Sequence, residues 1–252
     1  MTSPSASPAP IQYPVPWRLV AGLTPHLRAG TRTNVDDFTR QVVAQMPLPP
    51  DVQGAEHLPT SPRFLLVANH YQRKGLWILH TAAALTQAVR QHYGPGDPPV
   101  RWVVTANWPP WRIGPWSFAS PGDRLLPRVA HALHCYPIPF AGADPKRTAQ
   151  SIRRILQEAP TLNRPIGLFP EGVAGTAGAL TPALPGIDRL LVQLAKRGLP
   201  VVPCAVAEAP GLALRFGPPV TAERLLAERA AGMDVAALVM NEITALLPAT
   251  CR

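Results

Sequence analysis

Acidic residues, lysine and cysteine are all scarce in this chain. Of 252 residues only 15 are Asp or Glu, against 24 Lys or Arg, and 21 of those 24 are Arg. The formal net charge is +9 and the pI about 10.3. That balance favours anionic partners, whether nucleic acid, acidic lipid surfaces or phosphorylated substrates. The three cysteines, Cys135, Cys204 and Cys251, are odd in number and without metal-ligand spacing. They predict free thiols in a reducing compartment, with no disulfide framework and no metal site. Long hydrophobic runs are missing as well. The longest uncharged apolar stretch, Gly75 to Val89, carries His80, Thr81, Thr86 and Gln87 and falls short of the roughly 20 residues that span a bilayer. Residues 1–16 are rich in Pro, Ser and Ala and lack a basic start and an apolar centre, so they predict a disordered segment, not a secretory signal.

What is present is a 46% hydrophobic chain with only 15% charged residues, enough for one large folded domain with its own core. Two weakly amphipathic pieces, 17–27 and 35–46, predict a helical arm over 17–50, which could cover the core or lie on a membrane. Asn34 or Asp36 is placed to cap the second piece. From residue 51 to 252 short apolar runs alternate with helical periodicity. Strands are predicted at 63–68, 100–105, 136–140, 166–169, 200–206 and 212–216, with helices at 74–89, 127–134, 144–158, 187–197 and, broken near Gly232, at 221–247. This alternation predicts an α/β fold with a mixed, largely parallel central sheet flanked by helices. Trp102, Trp108, Trp111 and Trp116, interleaved with Arg101 and Arg112, predict either a loop capping the core or an interfacial lid.

Two strand ends turn abruptly polar. Phe64-Leu65-Leu66-Val67 runs into Ala68-Asn69-His70, and Gly167-Leu168-Phe169 into Pro170-Glu171-Gly172. Carboxyl ends of strands are where α/β proteins gather reactive groups, so the two ends are read as opposite walls of one site. An imidazole there can act as general base near neutral pH. Pro170 fixes the approach to Glu171, and Gly172 leaves the backbone open to a ligand. Glu171 has a second reading, as a carboxylate stabilising a helix N-terminus.

These residues resemble the glycerolipid acyltransferases, the lysophosphatidic-acid acyltransferase family. That family reads N-H-x-x-x-x-D, then an I-D-R strand, then F-P-E-G-T-R-S, then a V-P-V strand. Asn69-His70, Phe169-Pro170-Glu171-Gly172 and Val201-Val202-Pro203-Cys204-Ala205-Val206 match in order, and Leu214 to Val220 resembles the strand that follows. The chain departs from the pattern where Gly75 replaces the Asp and where Tyr136-Pro137-Ile138-Pro139-Phe140-Ala141-Gly142 lacks the Asp-Arg pair. Val173 and Ala174 also stand where the family has Thr and Arg. The resemblance implies O-acyl transfer from acyl-CoA or acyl carrier protein, as co-substrate with no other cofactor, to a hydroxyl on a lipid acceptor. It implies catalytic roles for His70 and Glu171 and substrate contacts from Asn69, Arg73, Lys74, Phe169, Pro170 and Gly172. With the phosphate-holding arginines missing, the acceptor is expected not to be a simple glycerol phosphate. Arg147 could substitute for them, and Glu171, Asp144 or a backbone carbonyl could orient His70 in place of the missing Asp. Such an enzyme would work as a peripheral protein on the inner face of the membrane. A silent relative that only binds lipid is the alternative. A nucleic-acid binder has only the net charge in its favour, with no recognition motif, so no nucleic-acid partner is expected.

Overall fold

In the computed structural model the described residues are 10–94, 96–107, 111–113, 116–118, 120, 122–139, 144–173 and 180–248, with backbone only at 111–113 and 116–118. A seven-stranded sheet forms the centre. Its strands are β1 (Asp51–Gln53), β2 (Leu65–Ala68), β3 (Arg101–Thr105), β6 (Tyr136–Ile138), β7 (Ile166–Leu168), β8 (Val201–Glu208) and β9 (Leu212–Phe216), in the order β1-β9-β8-β2-β7-β3-β6. All neighbouring pairs are parallel except the β8–β9 hairpin, so the sheet is mixed and largely parallel, as the alternating pattern predicts. Two short strands, β4 (Trp111–Ile113) and β5 (Trp116–Phe118), make a separate hairpin.

Strand alternation divides the core into two layers, because successive side chains point to opposite faces. Leu65, Val67, Ala205 and Ala207 face α6 (Pro145–Glu158), α7 (Ile187–Ala195), α8 (Ala222–Ala230) and α9 (Val235–Leu246). Phe64, Leu66, Ala68, Val202, Cys204 and Val206 face α3 (Val35–Ala44) and α4 (Ile78–Tyr93). Asp144 caps α6 by accepting from Arg147 N–H, and Asn34 caps α3 by accepting from Asp37 N–H.

The helical arm comprises α1 (Trp17–Gly22), α2 (Thr24–Ala29) and α3. It lies on α4, where Gln87 Nε2 donates to Thr39 Oγ1 at 2.7 Å and Arg90 pairs with Asp36 at 3.1 Å. α5 (Gly122–Ala132) starts earlier than the predicted 127, with Pro127 inside it.

The structure corrects three expectations. Residues 10–16, expected to be disordered, are tied to the β2–α4 loop by main-chain bonds, among them Tyr13 N–H to Gly75 O at 2.7 Å. Residues 1–9 lie outside the described residues. The helix expected from Lys74 begins at Ile78, because Arg73 and Leu76 pair across a tight turn. The turn-rich segment ending at Asp51 leads into β1, a three-residue edge strand that carries no sequence signal of its own.

Candidate active site

The carboxyl ends of β2, β7, β3 and β6 open on one cavity of about 380 Å³. Its wall is almost wholly apolar. Ile78, Leu79 and Ala83 come from α4, Val35 and Phe38 from α3, and Trp102 and Val104 from β3, while His70 stands at the end of β2. That size is within the range of small-molecule sites.

Three aromatic rings form a stack in the wall. Trp102 lies flat on Phe169, centroids 4.7 Å apart and planes 7° apart, and Phe169 meets the His70 ring edge-on at 5.4 Å. The indole Nε1–H donates to Thr86 Oγ1 at 2.9 Å, which fixes its rotation. Gly167 makes the stack possible, since a Cβ there would fall 2.4 Å from the indole.

The imidazole is set by packing. Its Nδ1 is buried and has no hydrogen-bond partner among the described residues. Burial lowers the His70 pKa below the ordinary histidine value, while contact with its own main chain and the charge of Glu171 push the other way. The ring is therefore neutral near pH 7, the state a general base requires.

Glu171, 2% exposed, reaches the main chain instead of the ring. One oxygen accepts from His70 N–H at 2.5 Å and the other from Thr181 N–H at 2.7 Å and Thr181 Oγ1 at 3.2 Å. It joins the β2 end to the loop after β7, so it is placed to hold the main chain of His70 and is not part of the cavity wall. Asp144, the other carboxylate considered for the ring, is engaged as the α6 cap. The position of the family's Asp is equally occupied. Gly75 has φ +82° within the turn, its carbonyl accepts from Tyr13, and a Cβ there would meet Gln12.

Of the residues expected to contact substrate, Phe169 and Gly172 line the cavity with His70. The others do not. Asn69 is 2% exposed, and its amide is spent on Val206, donating to the carbonyl at 3.0 Å and accepting from N–H at 2.7 Å. Arg73 forks onto Glu208 with both contacts at 2.5 Å and also donates to Ile11 O at 2.6 Å. Lys74 is exposed on the turn, and Pro170 is buried with its carbonyl accepting from Leu184 N–H. Arg147 points to solvent beside Asp144, 76% exposed, and is not part of the cavity wall. Sequence reasoning missed the stacking role of Trp102 and the bracing role of Thr181. A glycine in mid-strand, Gly167, is the signal that marks the first, because it announces close approach of another group. The tryptophan-rich segment at 108–116, residues 174–179, residues 140–143 and Cys251 lie outside the described residues or, at 111–113 and 116–118, outside the described side chains.

Residues 49–207 match the acyltransferase family. The chain belongs to that family. Among solved structures, this acyltransferase is similar to the crystal structure of the 1-acyl-sn-glycerophosphate (LPA) acyltransferase PlsC from Thermotoga maritima. Identity is 14%, the TM-score is 0.51, and the match covers 91% of this chain and 83% of that one. At that identity the likeness shows a shared fold. No curated protein matches this acyltransferase.

Proposed function

We propose that this acyltransferase moves a fatty acyl group from acyl-CoA or acyl carrier protein to a hydroxyl on a lipid or other acceptor that is not a simple glycerol phosphate. The observation that carries the reading is the apolar cavity with a neutral imidazole in its wall. An acyl chain gains about 0.8 kcal/mol per buried methylene, so such a wall selects the tail of a thioester. His70 takes the acceptor hydroxyl proton as its oxygen attacks the thioester carbonyl. The C–O bond forms, the C–S bond breaks, and the proton passes to the departing thiolate. The cavity wall contains no arginine or lysine among the described residues, which supports an acceptor without a phosphate beside the reacting hydroxyl.

Among the described residues no helix is long and apolar enough to cross a membrane. Trp17 and Trp77, 64% and 40% exposed and packed edge-on at 5.8 Å, supply an interfacial contact for peripheral work on the inner membrane face. Palmitoyl-CoA with an extract of the host's lipids tests the reaction. Free thiol is expected from wild type and not from His70→Ala, and equal release from the two would overturn it.

One observation favours the alternative, a silent lipid-binding relative: the unbonded Nδ1 of His70. Which nitrogen carries the proton is set by the bond that the other one makes, and no described residue makes it. Palmitoyl-CoA bound stoichiometrically, without turnover, would be the result expected of that relative.

A further inference from the structure

Away from His70, at the amino ends of β3 and β6, lies a second pocket of about 150 Å³ lined by Arg32, Arg101, Arg154, His131 and His134. Arg164 adds its charge, close enough to interact with Arg101 and Arg32. The carboxylate that pairs with this cluster among the described residues is Glu158, which accepts from Arg101 at 2.6 Å and from Arg154 at 2.7 Å. The cluster thus holds four guanidiniums and one carboxylate, a surplus of about three positive charges before any histidine protonates.

The pocket is built. Arg101 is 9% exposed, and its orientation is fixed by Tyr136 Oη at 3.0 Å, by His134 O at 2.9 Å and by the Tyr136 ring 3.7 Å below the guanidinium. His134, two residues past the end of α5, lies in the left-handed region at φ +57°, a conformation that costs a non-glycine residue strain. Burial first, then Arg32, Arg164, Arg101 and His131, hold its pKa below the usual value, as expected where cations outnumber carboxylates.

We propose that this pocket binds a phosphate dianion, borne by a free phosphomonoester or by an acidic lipid headgroup, independently of the acyl-transfer site. Arginine forks match the oxygens of a tetrahedral anion bidentately, and a phosphate monoester near neutral pH carries close to two charges, most of the surplus. The volume is below the range of whole-ligand sites, so it fits the phosphate and not a nucleotide around it.

Thermal unfolding with inorganic phosphate, titrated against sodium chloride at constant ionic strength, tests the proposal. At phosphate about ten times its Kd the wild-type Tm is expected to rise by about 3 °C. In Arg164→Gln and Arg32→Gln the rise is expected to fall below about a third of that. Each variant relieves repulsion, so its phosphate-free Tm should equal or exceed that of wild type, which keeps the comparison interpretable. No rise in wild type, or an undiminished rise in both variants, overturns the site. Vesicles of phosphatidic acid in phosphatidylcholine then identify the source. Sedimentation that inorganic phosphate reverses at constant ionic strength supports a headgroup, and a Tm response beside sedimentation that phosphate leaves unchanged supports a free phosphomonoester.

Discussion

His70 is held by rings and a main-chain bond where its family uses a side-chain carboxylate. The folded protein binds a proton there less readily than the unfolded chain. This group therefore contributes stability above the ordinary histidine pKa of about 6.5 and loses it as pH falls through the lowered folded value. The acid limb of kcat/KM is expected below pH 6.5 by the same shift. Phe169→Ala, which opens the ring to water, should move the limb upward and slow the reaction; pH–rate profiles of both proteins check this. Glu171→Gln removes a buried carboxylate that serves three donors and is expected to cost about 2 kcal/mol in urea unfolding. Restoring the family residue with Gly75→Asp should not raise activity. The positive φ is strained for any side chain and costs about 1 kcal/mol, measurable in the same unfolding assay.

Among the elements, β2 and β7 were legible because each is a short apolar run that stops at polar residues, and all four residues of β2 are buried. The V-P-V strand, β8, was legible for the same reason, and its partner β9 as the short, mostly apolar run Leu212 to Phe216. What stayed hidden depends on contacts distant in sequence. Nothing near Asp51 announces that it will pair with Ala213. Nothing near Arg73 announces Glu208, so a basic residue beside a catalytic motif reads as substrate-binding when it is an internal ion pair. The unbonded Nδ1 is invisible for a similar reason: the sequence shows that the Asp is gone, but not that no described residue bonds the nitrogen in its stead. β7 also carries a prediction. Gly167→Ala drives a methyl group into Trp102 and should cost about 1–3 kcal/mol in Tm-derived stability, with a loss of thiol release because Phe169 and His70 follow the indole.

For the whole molecule, the net charge of +9 and the exposed Trp17–Trp77 pair predict binding to anionic vesicles. Sedimentation should weaken with salt, because the electrostatic part is screened within about 10 Å at 0.1 M. Trp17→Ala should lower binding further at every salt concentration, and no effect of lipid charge, salt or Trp17 would count against surface docking. Net charge was readable from the sequence, but its distribution was not. The arginines at the amino ends of β3 and β6 come together only when α5, α6 and the segment after α2 pack side by side.

The segment from Ile11 to Pro14 is held at each point by its own backbone, through the carbonyl of Ile11, the N–H of Tyr13 and the carbonyl of Pro14, which receive or give bonds to Arg73, Gly75 and His80. The buried Tyr13 ring, packed against His80, adds a side-chain anchor to these backbone bonds, so the strap is intolerant of gaps. A single-residue deletion between Ile11 and Pro14 would shift every bond out of register and loosen the loop that follows His70.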